Sequence, residues 1–246
     1  MMRPKMILFD YGHTLLYEPA YDFLRGERAA FRHVRENPRG VTPEEAFALG
    51  QQLFAQAGAA RRSGWEIHEF QLMRLKYEYL GLTFDVPWGQ LEQIIWDATS
   101  PGAQMPGASD MLARLRAMGI RTGVISNIGW SGAALEARLK RLLPEHAFEF
   151  VITSSEYALR KPHPMLFELA LRKGDLGAEQ VWYCGDSIRA DVQGAQGAGI
   201  FPVLYEGETV EKNPWADQND GLTISGEHLR IRRWEEMTTI LEDMQA

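Results

Sequence analysis

Short apolar runs recur along the chain, and the later ones are separated by segments with apolar residues at every third or fourth position. The runs predict buried β-strands at residues 6–9, 122–125, 150–152, 181–184 and 202–204. The segments "DMLARLRAMG" and "PMLFELALRKG" each have one apolar face and end at a glycine, as amphipathic helices commonly do. This alternation predicts an α/β fold with a mostly parallel sheet covered by helices on both faces.

Residues 17–100 have a different pattern, rich in helix formers and without a convincing strand. Helices are predicted at 21–35, 43–57, 66–80 and 88–98, with breaks at Asn37-Pro38, Gly58, Gly81 and Pro87. The sequence therefore predicts an all-α cap at 17–100. It is inserted after the first strand into an α/β core made of residues 1–16 and 101–246.

Composition and charge exclude several classes of function. The net charge of −7 argues against a nucleic-acid partner, because phosphate backbones bind to basic faces. The single cysteine, Cys184, excludes an internal disulfide and a cysteine-based zinc site, and it fits a reducing cytoplasm. The run 6–9 is too short for a signal peptide, and no segment is long enough to span a membrane. We expect a soluble, cytoplasmic protein without a membrane partner.

Polar side chains follow four of the predicted strands. They are Asp10 and Thr14 after the first strand, Ser126 and Asn127 after the second, Lys161 after the third, and Asp186 and Asp191 after the fourth. Each one alone is explained as a helix cap. Because ligands of open parallel sheets bind at the carboxyl ends of the strands, we expect the whole set to share one site.

The chemistry that these residue types favour is phosphoryl transfer. Asp10 and Asp186 would hold Mg²⁺, which prefers a few carboxylates and retains some of its water. The metal would offset the repulsion between an anionic phosphate and an anionic nucleophile. Lys161 and the hydroxyl of Ser126 would hold phosphate oxygens. Asp10 would then attack through its other oxygen and form an aspartyl-phosphate.

Four stretches of the sequence resemble the four motifs of the haloacid dehalogenase (HAD) superfamily: "ILFDYGHTL", "GVISN", "RKPHPMLF" and "YCGDSIRADVQGAQGAG". The insertion at 17–100 resembles the helical C1-type cap of subfamily I. The resemblance implies a Rossmann-like, mostly parallel sheet with a central first strand. It also implies a phosphatase-like hydrolase that acts on a small phosphorylated metabolite.

The resemblance implies a role for each matching residue. Asp10 would be the nucleophile and a metal ligand, with Asp186 and the carbonyl of Gly12 as further ligands. Asp191 would support the metal and pair with Lys161, which would bridge the nucleophile and the phosphate.

Further residues are expected to bind the substrate. Ser126 and Asn127 would contact the phosphate, and Thr14 follows the nucleophile on the same loop. In the cap, Arg61 and Arg62 are candidates because they lie near a predicted turn. We expect a monomer or a homodimer.

One position departs from the family pattern. HAD phosphatases usually carry a second aspartate two residues after the nucleophile, which protonates the leaving group and activates water. Here that position is Gly12, which can do neither. His13 is the local replacement, because its ordinary pKa near 6.5 suits acid–base chemistry at neutral pH.

Three alternatives remain open on the sequence alone. Haloacid dehalogenases lack the second aspartate but need no metal, whereas this chain keeps the Asp186/Asp191 pair. Phosphonoacetaldehyde hydrolases also lack it and use a cap lysine, for which Lys76 is the available residue between 15 and 100. A catalytically weak binder of phosphorylated metabolites is the third.

Overall fold

The computed structural model of the chain describes residues 2–207 and 219–244, so residues 208–218 and 245–246 of the predicted core lie outside the described residues. The strands in chain order are β1 (Met6–Phe9), β2 (Leu16–Tyr17), β3 (Val34–Glu36), β4 (Thr83–Phe84), β5 (Ala103–Gln104), β6 (Arg121–Ser126), β7 (Phe148–Thr153), β8 (Val181–Gly185), β9 (Phe201–Tyr205) and β10 (Leu229–Ile231). The helices are α1 (Phe23–Phe31), α2 (Pro43–Arg62), α3 (Glu69–Leu80), α4 (Trp88–Thr99), α5 (Ala108–Ala117), α6 (Gly132–Leu142), α7 (Ser154–Tyr157), α8 (Pro164–Gly174), α9 (Gln193–Gly197) and α10 (Trp234–Asp243).

Six strands form one sheet in the order β10-β9-β8-β1-β6-β7, and every neighbouring pair is parallel. The predicted α/β fold with a mostly parallel sheet is therefore confirmed, with β1 inside the sheet between β8 and β6. Each of the five predicted strands is present. The edge strand β10 was not predicted, because a three-residue run next to charged residues carries no periodic signal.

Side chains of β1 alternate between the two faces of the sheet, as a strand requires. Ile7 and Phe9 pack in one apolar cluster with residues of α5, α6 and α10, whereas Met6 and Leu8 pack in another with residues of α8 and α9. All four side chains are buried, which explains why the strand is apolar throughout.

The segment between β2 and β5 is mainly helical, and its helix ends follow from local sequence. Thr42 and Glu45 form a reciprocal capping box at the start of α2, with Pro43 in the first turn. Gly81 ends α3 in a left-handed conformation with φ 75°. Tyr77, Leu91 and Ile95 lie in a separate apolar cluster that holds α1 to α4 together.

The prediction that residues 17–100 are all-α is wrong in one detail. Strands β3 and β4 pair in antiparallel fashion inside this segment, with Val34 opposite Phe84. The predicted helix 21–35 ends early, at Phe31. The chain there approaches Asn37-Pro38, and helical backbone is disfavoured for a residue that directly precedes a proline. Strand β4, the partner of β3, lies about fifty residues further along the chain, so a local sequence pattern does not reveal the pairing.

The helical segment is attached at two neighbouring points. Strands β2 and β5 pair in antiparallel fashion, with Leu16 opposite Gln104 and Tyr17 opposite Ala103. Buried Arg138 on α6 lies beside both connections, donating to Glu18 Oε1 at 2.7 Å and to the carbonyl of Ser100 at 2.6 Å. Among the described residues, no helix is both long and apolar enough to cross a membrane.

Candidate active site

Lys161 connects the polar groups at the carboxyl edge of the sheet. Its Nζ donates hydrogen bonds to Asp10 Oδ1 and Asp191 Oδ1, both at 2.7 Å, and to the hydroxyl of Tyr183 at 2.6 Å. Lys161 is only 4% exposed, and a buried ammonium group must be paired. Burial lowers the pKa of Lys161, but Asp10 and Asp191 outweigh it, so that the pKa lies above its ordinary value. Lys161 is therefore held as a cation against the two acids.

Three carboxylates meet at this edge. Asp10, Asp186 and Asp191 each offer an oxygen, and these oxygens lie within 4.8 Å of one another. Burial, opposed by Lys161 and reinforced by Asp191, raises the pKa of Asp10 to about 6. Burial and the other two acids raise the pKa of Asp186 well above its ordinary value. Three acids face one lysine, so the group carries excess negative charge, and its oxygen donors fit a hard divalent cation such as Mg²⁺.

Both oxygens of Asp191 accept hydrogen bonds. Oδ1 accepts from Lys161, and Oδ2 accepts from the backbone N–H of Ser187 at 2.9 Å. The side chain is 1% exposed. These contacts orient Lys161 and hold the turn after β8.

The loop after β1 carries the unusual positions of the first motif. A Cβ placed on Gly12 would meet no heavy atom of the described residues within 4 Å. His13 has φ 52°, a left-handed backbone conformation that costs energy for a residue other than glycine. Burial, partly offset by the charge of Glu18, lowers the pKa of His13 below its ordinary 6.5. At neutral pH the His13 ring is thus mainly neutral, a form that accepts a proton more readily than it donates one.

Thr14, predicted to bind substrate, is completely buried. Its hydroxyl has no hydrogen-bond partner within the described part of the chain. Thr14 lies on the same loop as Asp10, but its hydroxyl is not exposed to a ligand.

Ser126 and Asn127 end strand β6 beside β1. Ser126 is 2% exposed at the carboxyl end of its strand. The amide of Asn127 binds the backbone of Lys161 twice, accepting from its N–H at 2.7 Å and donating to its carbonyl at 3.0 Å. The side chain of Asn127 therefore positions Lys161, a role that differs from the predicted phosphate contact.

The two arginines predicted in the helical segment have different surroundings. Arg61 Nε lies 3.0 Å from Glu66 Oε1, and Glu66 is also paired with Arg160, directly before Lys161. Arg62 is exposed and lies over Gly58 of its own helix. The structure thus links Arg61 to the Lys161 loop through Glu66 and leaves Arg62 on the surface.

Several residues at this edge were missed by the sequence analysis. The hydroxyl of Tyr183 accepts from Lys161 and donates to the carbonyl of Ile125 at 2.9 Å, and that carbonyl also accepts from Lys161 Nζ at 3.0 Å. Glu69 donates its backbone N–H to the carbonyl of Gly129 at 2.7 Å, and its side chain covers that glycine. Burial, opposed mainly by Arg61 and reinforced by Glu66 and Glu92, raises the pKa of Glu69 to about 7. Arg160 could have been noticed beside Lys161, but the contacts of Glu66 and Glu69 join distant parts of the chain.

Residues 4–199 match the family model described as haloacid dehalogenase-like hydrolase. The chain belongs to the haloacid dehalogenase-like hydrolase family. The membership predicted from the four motifs is thus confirmed. The matched range includes Asp10, Lys161 and Asp186 together with the whole helical segment.

Curated relatives and solved structures agree with this assignment. The chain is 28% identical over 204 residues to the glyceraldehyde 3-phosphate phosphatase of Pyrococcus abyssi, covering 82% of this chain and 81% of that protein. It is 30% identical over 211 residues to the protein of the same name from Pyrococcus furiosus, covering 84% and 82%. The crystal structure of a HAD phosphatase from Thermococcus onnurineus shares the fold, with a TM-score of 0.60, 20% identity and 98% coverage of both chains.

Proposed function

We propose that this protein is a Mg²⁺-dependent phosphatase of small phosphorylated metabolites that uses Asp10 as its nucleophile. The observation that carries the proposal is the contact of Lys161 with both Asp10 and Asp191. Lys161 holds Asp10 Oδ1 and leaves Oδ2 for attack on phosphorus. Relatives named glyceraldehyde 3-phosphate phosphatase support a small phosphorylated substrate.

Asp10, Asp186 and the backbone carbonyl of Gly12 would hold the Mg²⁺ ion. When bound, the ion would neutralise charge that otherwise repels an anionic phosphate from Asp10. Asp191 would stay with Lys161 and Ser187, as its two hydrogen bonds indicate.

The first step would form a bond between Asp10 Oδ2 and phosphorus while the bond from phosphorus to the leaving oxygen breaks. The bonding electrons go to the leaving oxygen, and Lys161 and Ser126 hold phosphate oxygens as charge develops. Water then attacks phosphorus and breaks the bond to Asp10, which releases inorganic phosphate and restores the carboxylate.

The proton for the leaving oxygen has no donor at Gly12, and His13 is mainly neutral because burial lowers its pKa. Substrates whose leaving groups depart as anions should therefore react fastest. Acyl and aryl phosphates belong to this class, whereas alkyl phosphates need a proton.

We also propose that residues 17–100 act as the cap over a core of residues 1–16 and 101–246. Arg61 and Glu66 of this segment meet Arg160 beside Lys161. A substrate bound at Asp10 would thus lie under side chains from both parts. We place the protein in the cytoplasm, in keeping with a small soluble substrate.

The alternatives find less support at the site. A dehalogenase would need no metal and hence no cluster of three acids around one lysine. A phosphonatase would need a lysine from the cap near Asp10, in addition to Lys161, but Lys76 is paired with Glu27 inside the helical segment. The described residues form neither a site without an acidic cluster nor a site with a cap lysine beside Asp10.

The test is a panel of phosphate esters assayed with Mg²⁺ and with a chelator. We expect Mg²⁺-dependent phosphate release, fastest from acetyl phosphate and 4-nitrophenyl phosphate. It should be lost in Asp10→Asn and kept in Glu168→Gln, an exposed acid on α8. Halide release from a 2-haloacid without metal, dependent on Asp10, would instead establish a dehalogenase. No turnover of either class would favour the binder.

A further inference from the structure

A cavity of about 340 Å³ lies within the helical segment, among α1, α2, α3 and α4. Its walls include Phe47, Phe54, Leu72 and Ile95. Trp130, on the loop after β6, closes the side towards the sheet. The lining includes none of Asp10, Ser126 or Lys161, so this cavity is separate from the phosphoryl-transfer site.

The cavity opens to solvent on one side, where the lining residues Phe23 and Phe54 are 53% and 43% exposed. Its volume falls in the range typical of small-molecule sites, about 300–1,000 Å³. A ligand bound there would cover apolar side chains that otherwise face water.

One end of the cavity holds an ion pair. Lys76 Nζ contacts Glu27, whose other oxygen accepts from the hydroxyl of Tyr77 at 2.8 Å. Both charged side chains are buried, Lys76 at 6% exposure and Glu27 at 5%. An ammonium group has three N–H donors, and the contact with Glu27 uses one of them. Lys76 can therefore donate to a ligand in the cavity.

The charge of this pair selects the kind of ligand. Lys76 and Glu27 together carry no net charge, whichever of them holds the proton. A ligand anion would add a buried negative charge beside Glu27, and such a charge is costly without a partner. A neutral oxygen acceptor can accept a hydrogen bond from Lys76 without that cost.

We infer that the cavity is a binding site for an uncharged, mainly apolar small molecule with one carbonyl-type acceptor, which lies among Phe47, Phe54 and Leu72 and accepts from Lys76. The site does not depend on the chemistry at Asp10. Glu69 and Trp130 line the cavity. Glu69 also contacts the loop after β6, and Trp130 belongs to that loop, so a ligand in the cavity lies next to the candidate active site.

The inference is tested by binding, without any phosphate ester. The full chain is titrated with acetophenone, ethylbenzene and benzoate, and dissociation constants are measured by ligand-observed NMR. We expect acetophenone to bind about tenfold more tightly than ethylbenzene, because ethylbenzene lacks the oxygen that accepts the hydrogen bond from Lys76. Benzoate should bind more weakly than acetophenone.

Three variants on α3 locate the site. Leu72→Phe, which fills the cavity, should weaken acetophenone binding at least tenfold, whereas Leu75→Phe changes an exposed residue of α3 and should bind as the wild type does. Lys76→Met should remove the preference of acetophenone over ethylbenzene. If this variant does not fold with Glu27 unpaired, the double variant Glu27→Gln/Lys76→Met replaces it.

Three results would overturn the inference. They are no binding of either neutral probe by the wild type, equal binding by Leu72→Phe and the wild type, and tighter binding of benzoate than of acetophenone. Because no step at Asp10 is measured, these results are independent of whether the protein is a phosphatase.

Discussion

Replacing Gly12 by aspartate should give the candidate active site the proton donor that its first motif lacks. Gly12 lies on the loop after β1, outside the set of residues with left-handed backbone. A Cβ there would meet no heavy atom of the described residues within 4 Å. The Cβ of the new side chain therefore requires neither a backbone change nor a shift of neighbouring atoms. Its effect on catalysis can be separated from an effect on folding.

The expected size of the effect follows from the chemistry of the leaving group. A positioned general acid contributes about 10²–10⁴-fold, or roughly 3–5 kcal/mol of the barrier. The new carboxyl group would join three acids within 4.8 Å of one another, and their repulsion favours its protonated form. We expect hydrolysis of an alkyl phosphate to rise by about 10²-fold, near the lower limit, because the fraction of the new carboxyl group that is ionised cannot donate a proton and repels an anionic substrate. Hydrolysis of an aryl phosphate, which leaves as a stable anion, should change by only about a factor of three.

The assay compares phosphate release from glycerol phosphate and from 4-nitrophenyl phosphate by the wild type, Gly12→Asp and Gly12→Asn. The asparagine variant has the same shape and no transferable carboxyl proton, so it should show no gain. If Gly12→Asn gained as much as Gly12→Asp, the reasoning on proton transfer would be refuted. It would also fail if the wild type already hydrolysed both esters equally fast, because an acid would then come from elsewhere.

Three further predictions concern the metal, the pH dependence of stability and the attachment of the helical segment. Asp186→Asn should weaken Mg²⁺ binding at least tenfold in calorimetry while the surface control Glu168→Gln binds normally, and equal affinities would exclude Asp186 as a ligand. Burial, opposed mainly by Arg61, raises the pKa of Glu69 to about 7 from an ordinary 4.5, so the folded protein holds a proton there that the unfolded chain releases. Wild-type stability should therefore fall as pH rises from about 4.5 to 7, and the melting temperature of Glu69→Gln relative to wild type should be higher at pH 8 than at pH 5. A difference that does not change with pH would contradict that assignment. Arg138→Met should destabilise the protein by about 3–5 kcal/mol in denaturant unfolding, because it leaves Glu18 buried without its partner, and a loss below about 1 kcal/mol would contradict the importance of this pair.

Sequence reasoning was most successful for features that a short local pattern of residue types determines. The apolar run at β1 predicted a buried strand with Asp10 at its carboxyl end, and the family resemblance implied that this strand is central. The short pair of β3 and β4 was missed because each strand is stabilised by a partner far away in the sequence, and β10 was missed because its three residues, next to charged residues, carry no periodic signal.

The candidate site shows the same division. The seven polar residues after the predicted strands were expected at one sheet edge, and Asp10, Lys161 and Asp191 are in direct contact there. The use of the Asn127 side chain was not foreseen, because a contact to the backbone of Lys161 leaves no trace in residue type. Burial of Thr14 and the cavity beside Lys76 depend on packing between separate helices, which no local pattern records.

The pairing of β2 with β5 affects how recombination can change this chain. Tyr17 and Ala103 are opposite each other in an antiparallel pair, so their Cα atoms are about 5 Å apart. That spacing is the one a two-residue hairpin turn would close. The segment from residue 18 to residue 102 is thus joined to the core at two adjacent points. A recombination event that replaces it needs only two neighbouring junctions. One lineage can exchange this stretch for another of quite different length while the strand ends that carry Asp10 and Lys161 keep their register.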